Sequence, residues 1–203
     1  MSAPSPLLEV LERARTLGVL GPGPVLDHVA HAQWFVDALA ELPAGATVID
    51  LGSGGGVPGL VIAEARPDLR VTLLDSMQRR TALLAEAIEH LGWGSRVTAV
   101  LSRAETLGRD PDHRGAYDAA TARSFGPPAA VAECAAPLLV PGGRLVVSEP
   151  PDQPDRWPPE GLEQFGLAPA SIESPGVKIL LLTGACPDRF PRRDGVPAKR
   201  PLF

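Results

Sequence analysis

Thr47-Val48-Ile49-Asp50-Leu51-Gly52-Ser53-Gly54-Gly55-Gly56-Val57-Pro58-Gly59 carries a short apolar run straight into a glycine loop. The apolar run predicts a buried strand over Thr47–Leu51. Glycines let the backbone turn sharply and approach a ligand with no Cβ in the way. A helix predicted over 58–65 presents its unpaired N–H groups to whatever the loop holds. Gly54, Gly56 and Gly59 satisfy a G-x-G-x-x-G spacing. Asp75 falls about 20 residues on, where a ribose-binding acid belongs. By spacing alone the loop suits several nucleotide cofactors, dinucleotides included.

Downstream, strands alternate with helices. Strands are predicted over 71–74, 97–101, 118–121 and 144–147, with helices over 78–91 and 127–139 between them. That alternation predicts an α/β fold with a mainly parallel, doubly wound sheet. The ending differs. Residues 170–173, the turn Ser174-Pro175-Gly176 and residues 177–183 predict an antiparallel hairpin. Upstream, Leu7, Leu8, Val10, Leu11, Ala14 and Leu17 recur at helical spacing until Gly18 and Gly21-Pro22-Gly23-Pro24 interrupt them. A second helix is predicted over 26–42. The expected organisation is an N-terminal helical extension, 1–44, before an α/β domain, 45–203. The acidic, proline-rich stretch 149–159 is expected to be a surface loop.

The chain has 203 residues, a length that fits one sizeable core better than two. Its net charge of −5 does not announce a nucleic-acid binder, although a local basic patch can act inside an acidic chain. No apolar run approaches the roughly 20 residues of a membrane span, and the N-terminus lacks signal-peptide features. Cys134 and Cys186, far apart and without metal-ligand spacing, are expected to be structural thiols of a cytoplasmic protein, and no metal site is expected.

Two features separate the loop from a dinucleotide site. Asp50, just before the glycines, would oppose a pyrophosphate but suits a ligand carrying an ammonium and a sulfonium, as S-adenosylmethionine does. The closing hairpin is absent from an ordinary dinucleotide fold. Together they resemble the class I S-adenosylmethionine-dependent methyltransferases, a Rossmann-like fold. Cofactor contacts are expected from Asp50, Gly52, Ser53, Gly54, Gly56 and Pro58 of the loop, from Asp75 and Ser76 at the ribose, and from Ala104 and Glu105 at the adenine. Asp75 and Glu105 also suit helix starts.

From His28 on, the chain is similar to the bacterial GidB family, which methylates guanine N7 in 16S ribosomal RNA. The matching pieces are the loop through Pro58-Gly59, Leu74-Asp75-Ser76 with Arg79-Arg80, Arg103-Ala104-Glu105, Tyr117-Asp118, Ala122-Arg123-Ser124 and Gly142-Gly143. The tail matches too, running from Phe190-Pro191-Arg192-Arg193 through Gly195-Val196-Pro197-Ala198-Lys199-Arg200-Pro201-Leu202. The resemblance implies S-adenosylmethionine as cofactor and 16S ribosomal RNA or the small ribosomal subunit as partner. Arg123, after the fourth strand, is the expected catalytic and substrate-binding residue. Arg192, Arg193, Lys199 and Arg200 are expected to contact phosphates, or to form a solvated basic terminus. The chain departs from the family where Val147-Ser148-Glu149-Pro150 replaces a Lys-Gly pair, and its N-terminal helices are poor in basic residues. A small-molecule or other RNA substrate, or a non-catalytic cofactor-binding role, therefore stays open. His90 and His113 are expected at the surface, and His28 and His31 share one helix face.

Overall fold

The computed structural model describes residues 5–150, 156–171 and 174–203. Helix α1 (Pro6–Thr16) begins where the sequence caps it. Ser5 Oγ accepts from the Leu8 N–H at 3.4 Å, and Pro6 takes the first helical position, where no donor is needed. Leu7, Leu11 and Ala14 fall on one face and are buried. Helix α2 (Val25–Ala38) has no basic residue in its last turn. Distant arginines satisfy the carbonyls at its end: Arg144 Nη1 donates to Ala38 O, and Arg66 donates to Leu39 O and Leu42 O. The helix stops at Ala38 rather than at 42 because Leu39 to Leu42 turn to meet Arg66.

The seven strands are β1 (Thr47–Leu51), β2 (Arg70–Asp75), β3 (Val97–Leu101), β4 (Tyr117–Ala122), β5 (Leu139–Ser148), β6 (Leu167–Pro169) and β7 (Val177–Leu182). They lie in the order β3-β2-β1-β4-β5-β7-β6. Pairing is parallel from β3 through β5, and β7 runs antiparallel to both β5 and β6. This is the sheet of the class I methyltransferases. Between them lie α3 (Gly59–Ala65), α4 (Gln78–His90), α5 (Ala104–Leu107), α6 (Pro128–Ala135) and α7 (Pro159–Glu163), and α8 (Val196–Lys199) follows β7.

Alternation along the strands divides the core into two layers. Val48, Val71, Leu73 and Val146 join α1 to α4 on one face, while Ile49, Leu51, Leu74 and Val147 join α6 and the segment after Trp157 on the other. The N-terminal helices thus share one apolar layer with the sheet. Strand order reverses between β1 and β4, and the crevice at their carboxyl ends is where ligands of open α/β sheets bind.

Three expectations need correction. The hairpin's first strand comes earlier, at Leu167–Pro169 after Gly166 in a left-handed turn (φ 76°), and Ala170 N–H still donates to Ile179 O. Residues 172–173 of the predicted strand lie outside the described residues. The predicted helix 127–139 ends at Ala135 and continues as a 3₁₀ turn, Ala136–Leu138, because Pro137 cannot donate to an α-helical ladder. The stretch 149–159 is not wholly surface loop. Trp157 is buried, α7 starts at Pro159, and 151–155 lie outside the described residues. Among the described residues no helix is long and apolar enough to cross a membrane.

Candidate cofactor and acceptor cavities

Protein groups fasten the glycine loop from beneath and outside. Ser53 N–H donates to Leu74 O at 2.9 Å, and Ser53 Oγ donates to Asp50 O at 2.9 Å. Positive φ at Gly52, Gly54 and Gly56 gives the turn its shape. A Cβ on Gly55 would stand about 3 Å from the backbone of Leu20, so the link between α1 and α2 seals the loop from outside. Pro58 follows a cis peptide bond and leads into α3.

Asp50 has a different position from the one expected. Its carboxylate accepts from Thr121 Oγ1 at 2.7 Å and from Gly59 N–H at 3.2 Å, beneath the loop and away from both cavities described below. Burial pushes its pKa up to about 6, against the opposing pull of Thr121, Ser53, Gly59 and the Arg123 charge. A raised folded-state pKa adds stability at low pH that is lost as pH rises from about 3.8 through about 6. Asp50→Asn keeps the site neutral at every pH. The stability difference between the two proteins should therefore shift by about 2 kcal/mol between pH ~4.5 and ~7.5, against the wild type at the higher pH. Urea midpoints at the two pH values measure it, and parallel pH profiles would reject the buried, proton-hungry carboxyl.

The first cavity, about 250 Å³, opens above the carboxyl ends of β1, β2 and β3. Gly52, Asp75, Ser76, Ala104 and Glu105, five of the residues that the sequence proposes for the cofactor, line it together. Asp75 Oδ2 accepts from Gly54 N–H at 3.0 Å and Oδ1 from Met77 N–H at 2.8 Å. A carboxylate has about four lone-pair directions, so both oxygens keep capacity for a pair of hydroxyls. Leu74, Ala130 and Cys134 supply apolar wall for a flat ring. Burial pushes the Cys134 thiol well above its ordinary range, so it packs as an inert apolar group. The donor and acceptor set fits an adenosine.

One arginine of the tail, Arg192, is taken up inside the fold and is not free for the phosphate contact that the sequence suggested. Glu133, fully buried on α6, accepts from Arg192 N–H at 2.8 Å and pairs bidentately with the Arg192 guanidinium, Nη2 to Oε2 at 2.5 Å. Arg192 is consumed as an anchor. Glu105 turns its Oε1 to Gly195 N–H at 2.7 Å and to Arg103 Nη2 at 3.0 Å, so its carboxylate fastens the tail rather than reading a base. Asp194 adds pairs to Arg109 and Thr106. The outcome is a strap that presents Pro197 and Ala198 as the far wall of the first cavity. Arg193, Lys199 and Arg200 are exposed on this strap and line neither cavity.

A second cavity, about 920 Å³, lies beside the first and shares with it the segment Ser124-Phe125-Gly126. Ser124 has φ 55°, the left-handed region that non-glycine residues rarely occupy. The turn lets Phe125 lie against Gly52, where a Cβ would meet its ring at 2.8 Å. Arg123 lines this second cavity, half-buried. Its Nη1 donates to His28 Nδ1 at 3.3 Å, and His28 Nε2–H then donates to Gly21 O at 3.1 Å. Among the described residues no carboxylate lies within ion-pair distance of Arg123. His31 reaches the same cavity, its pKa lowered by burial and then by the Arg123 and His28 charges.

Sequence reasoning passed over Phe125, Trp157 and Glu133. Phe125 directly follows Arg123-Ser124 at a strand's carboxyl edge, a position that flags it. Glu133 is the one charged residue in the otherwise apolar run Pro128–Ala135. His113 is half-buried and bonds the Tyr117 hydroxyl at 2.7 Å, while His90 is exposed as expected. No group of three His, Cys, Asp or Glu among the described residues is arranged to hold a metal ion.

Comparison with known proteins adds the family. A model described as rRNA small subunit methyltransferase G matches residues 25–150. The ribosomal RNA small subunit methyltransferase G of Prochlorococcus marinus (strain MIT 9313) is 39% identical over 170 residues, 76% of this chain and 67% of the relative. That of Deinococcus radiodurans is 37% identical over 186 residues, 83% of this chain and 73% of the relative. Among solved structures, an O-methyltransferase family protein from Burkholderia thailandensis superposes with a TM-score of 0.57 at 20% identity, covering 78% of this chain and 57% of its own, which shows the shared fold.

Proposed function

The chain belongs to the rRNA small subunit methyltransferase G family, and from that premise we propose that it methylates N7 of a guanine in 16S ribosomal RNA, in the cytoplasm. The observation that carries this reading is the pairing of an adenosine-sized cavity with a larger, aromatic-walled one across Ser124-Phe125-Gly126. S-adenosylmethionine, when bound, supplies an electrophilic methyl group on a sulfonium. Asp75 would hold the ribose hydroxyls, Gly52 and Ser76 would line its path, and the backbone at Ala104 would meet the adenine. Asp50 acts from below, fixing the loop through Gly59 and Thr121.

Guanine N7 is a lone-pair nucleophile without a proton, so attack needs no general base. The protein has to hold N7 in line with the transferring methyl group. Arg123 suits this, since its guanidinium would donate to guanine O6 and leave the adjoining N7 lone pair free to attack. Its His28 contact orients it without neutralising it. Arg193, Lys199 and Arg200, exposed on the strap that walls the first cavity, would meet flanking phosphates.

The test is transfer of labelled methyl groups to unmethylated small ribosomal subunits. Label in a single 16S guanine is expected, and label confined to other RNA would reject the reading. Arg123→Ala should lower transfer at least ~10²-fold, with S-adenosylhomocysteine affinity within about threefold. Equal loss of both would remove Arg123 from the acceptor side. A second reading, a small cationic acceptor, is favoured by Asp27 and Glu149 on the second cavity's wall. A metabolite extract run in parallel separates the two.

A further inference from the structure

We infer that Glu149 selects guanine by accepting hydrogen bonds from its Watson–Crick edge in the second cavity. The inference rests on the guanine reading above and deepens it. Glu149 follows β5, and Arg123 follows β4, the strand paired with it through Ala122 and Val147. The two residues therefore rise from neighbouring strand ends into one cavity. Glu149 is set rather than loose. Its backbone N–H donates to Gly176 O at 2.8 Å, and its Oε2 accepts from Trp157 Nε1 at 2.7 Å. Arg156 Nη1 reaches Oε1 at a longer 3.3 Å. The Trp157 bond and the Arg156 ion pair each take one lone pair and leave another on each oxygen, and the side chain is 23% exposed.

The chemistry of the base completes the argument. Guanine carries two parallel donors, N1–H and one N2–H, on its Watson–Crick edge, and two acceptors, O6 and N7, on its Hoogsteen edge. A carboxylate takes the donor pair bidentately, as it takes a guanidinium. Arg123, a donor, answers O6 and leaves the N7 lone pair free for the methyl group. With the base turned this way, N7 faces away from Glu149, toward the wall shared with the cofactor cavity. Trp34, Phe125 and Trp157 line the same space and offer faces for stacking a base drawn out of its helix. Trp34 comes close because Gly176 has no Cβ, which would otherwise fall 1.9 Å from the indole. Adenine would place the bare N1 lone pair against the carboxylate, and a site built around donors rejects a base that lacks them.

The test is a cycle between one protein change and one base change. Small subunits are assembled on 16S RNA carrying either guanine or inosine at the methylated position. Inosine lacks the N2 amine and keeps N7. The unmodified protein should lose about tenfold in kcat/KM on inosine, while Glu149→Gln should start roughly 10- to 30-fold lower on guanine and lose less than about twofold more on inosine. Glu149→Asp, which keeps the charge, should retain part of the preference for guanine. S-adenosylhomocysteine affinity of both variants, read by calorimetry, should stay within about twofold, since Glu149 lines only the second cavity. An inosine penalty equal in the unmodified protein and in Glu149→Gln would overturn the assignment alone. Absence of transfer to any guanine by the unmodified protein would overturn the reading beneath it as well.

Discussion

Asp75→Ala is expected to weaken S-adenosylhomocysteine binding by roughly 10²–10³-fold, since hydrogen bonds to a charged acceptor contribute about 1.5–3 kcal/mol each. Two effects add. The ribose hydroxyls lose their acceptor, and the Gly54 and Met77 N–H groups lose the carboxylate that holds them in place. Asp75 is 3% exposed, so no water layer takes over. Asp75→Asn should fall between, because an amide has one oxygen for two backbone donors. Isothermal titration calorimetry on folded protein reads the change directly. An affinity within threefold of the unmodified protein would remove Asp75 from the cofactor.

Glu133→Ala should cost about 3–5 kcal/mol of stability, the usual result of removing one partner from a buried ion pair. For a chain of this size that lowers the thermal midpoint by roughly 6–20 °C. The Arg192 guanidinium, 25% exposed, would keep its charge and lose both carboxylate contacts, and the Arg192 N–H would lose its acceptor. Cofactor affinity should fall alongside, since the freed strap carries Pro197 and Ala198 out of the cavity wall. Combining Glu133→Met with Arg192→Met should recover part of the lost stability but not the Arg192 N–H bond. A midpoint shift below about 2 °C would mean the strap is held elsewhere.

The parts of the molecule that were legible in the sequence are those with a local signal. A buried parallel strand reads as an apolar run, and β1 falls where that run lies; β3, an edge strand and only partly buried, also keeps its predicted bounds. The loop glycines and Asp75 announced themselves by spacing, and cavity-lining Arg123 by its place after β4. The side chain of Asp50 was legible too and was misread. Period-two alternation puts it on the Val48 face, under α3, and not toward a ligand. The strap could not be read. Residues 133 and 192 meet across 59 positions, and Glu105 meets Gly195 across 90. Nothing in a local stretch distinguishes an arginine that will find a buried carboxylate from one that will find a phosphate. The burial of Trp157 was hidden for the same reason, since it depends on α7 and the tail packing over β5.

The strap also sets an order of events during synthesis. Strands β1 to β4 can pair once residue 122 has emerged, but the first cavity lacks its far wall until residue 198 follows. At roughly 5–20 residues per second, several seconds separate the two moments. Through that interval the nascent loop cannot rely on a bound ligand for its shape. Its fastenings to Leu74, Asp75 and Leu20 come from residues already made, so the half-built protein can wait with its glycine loop in place.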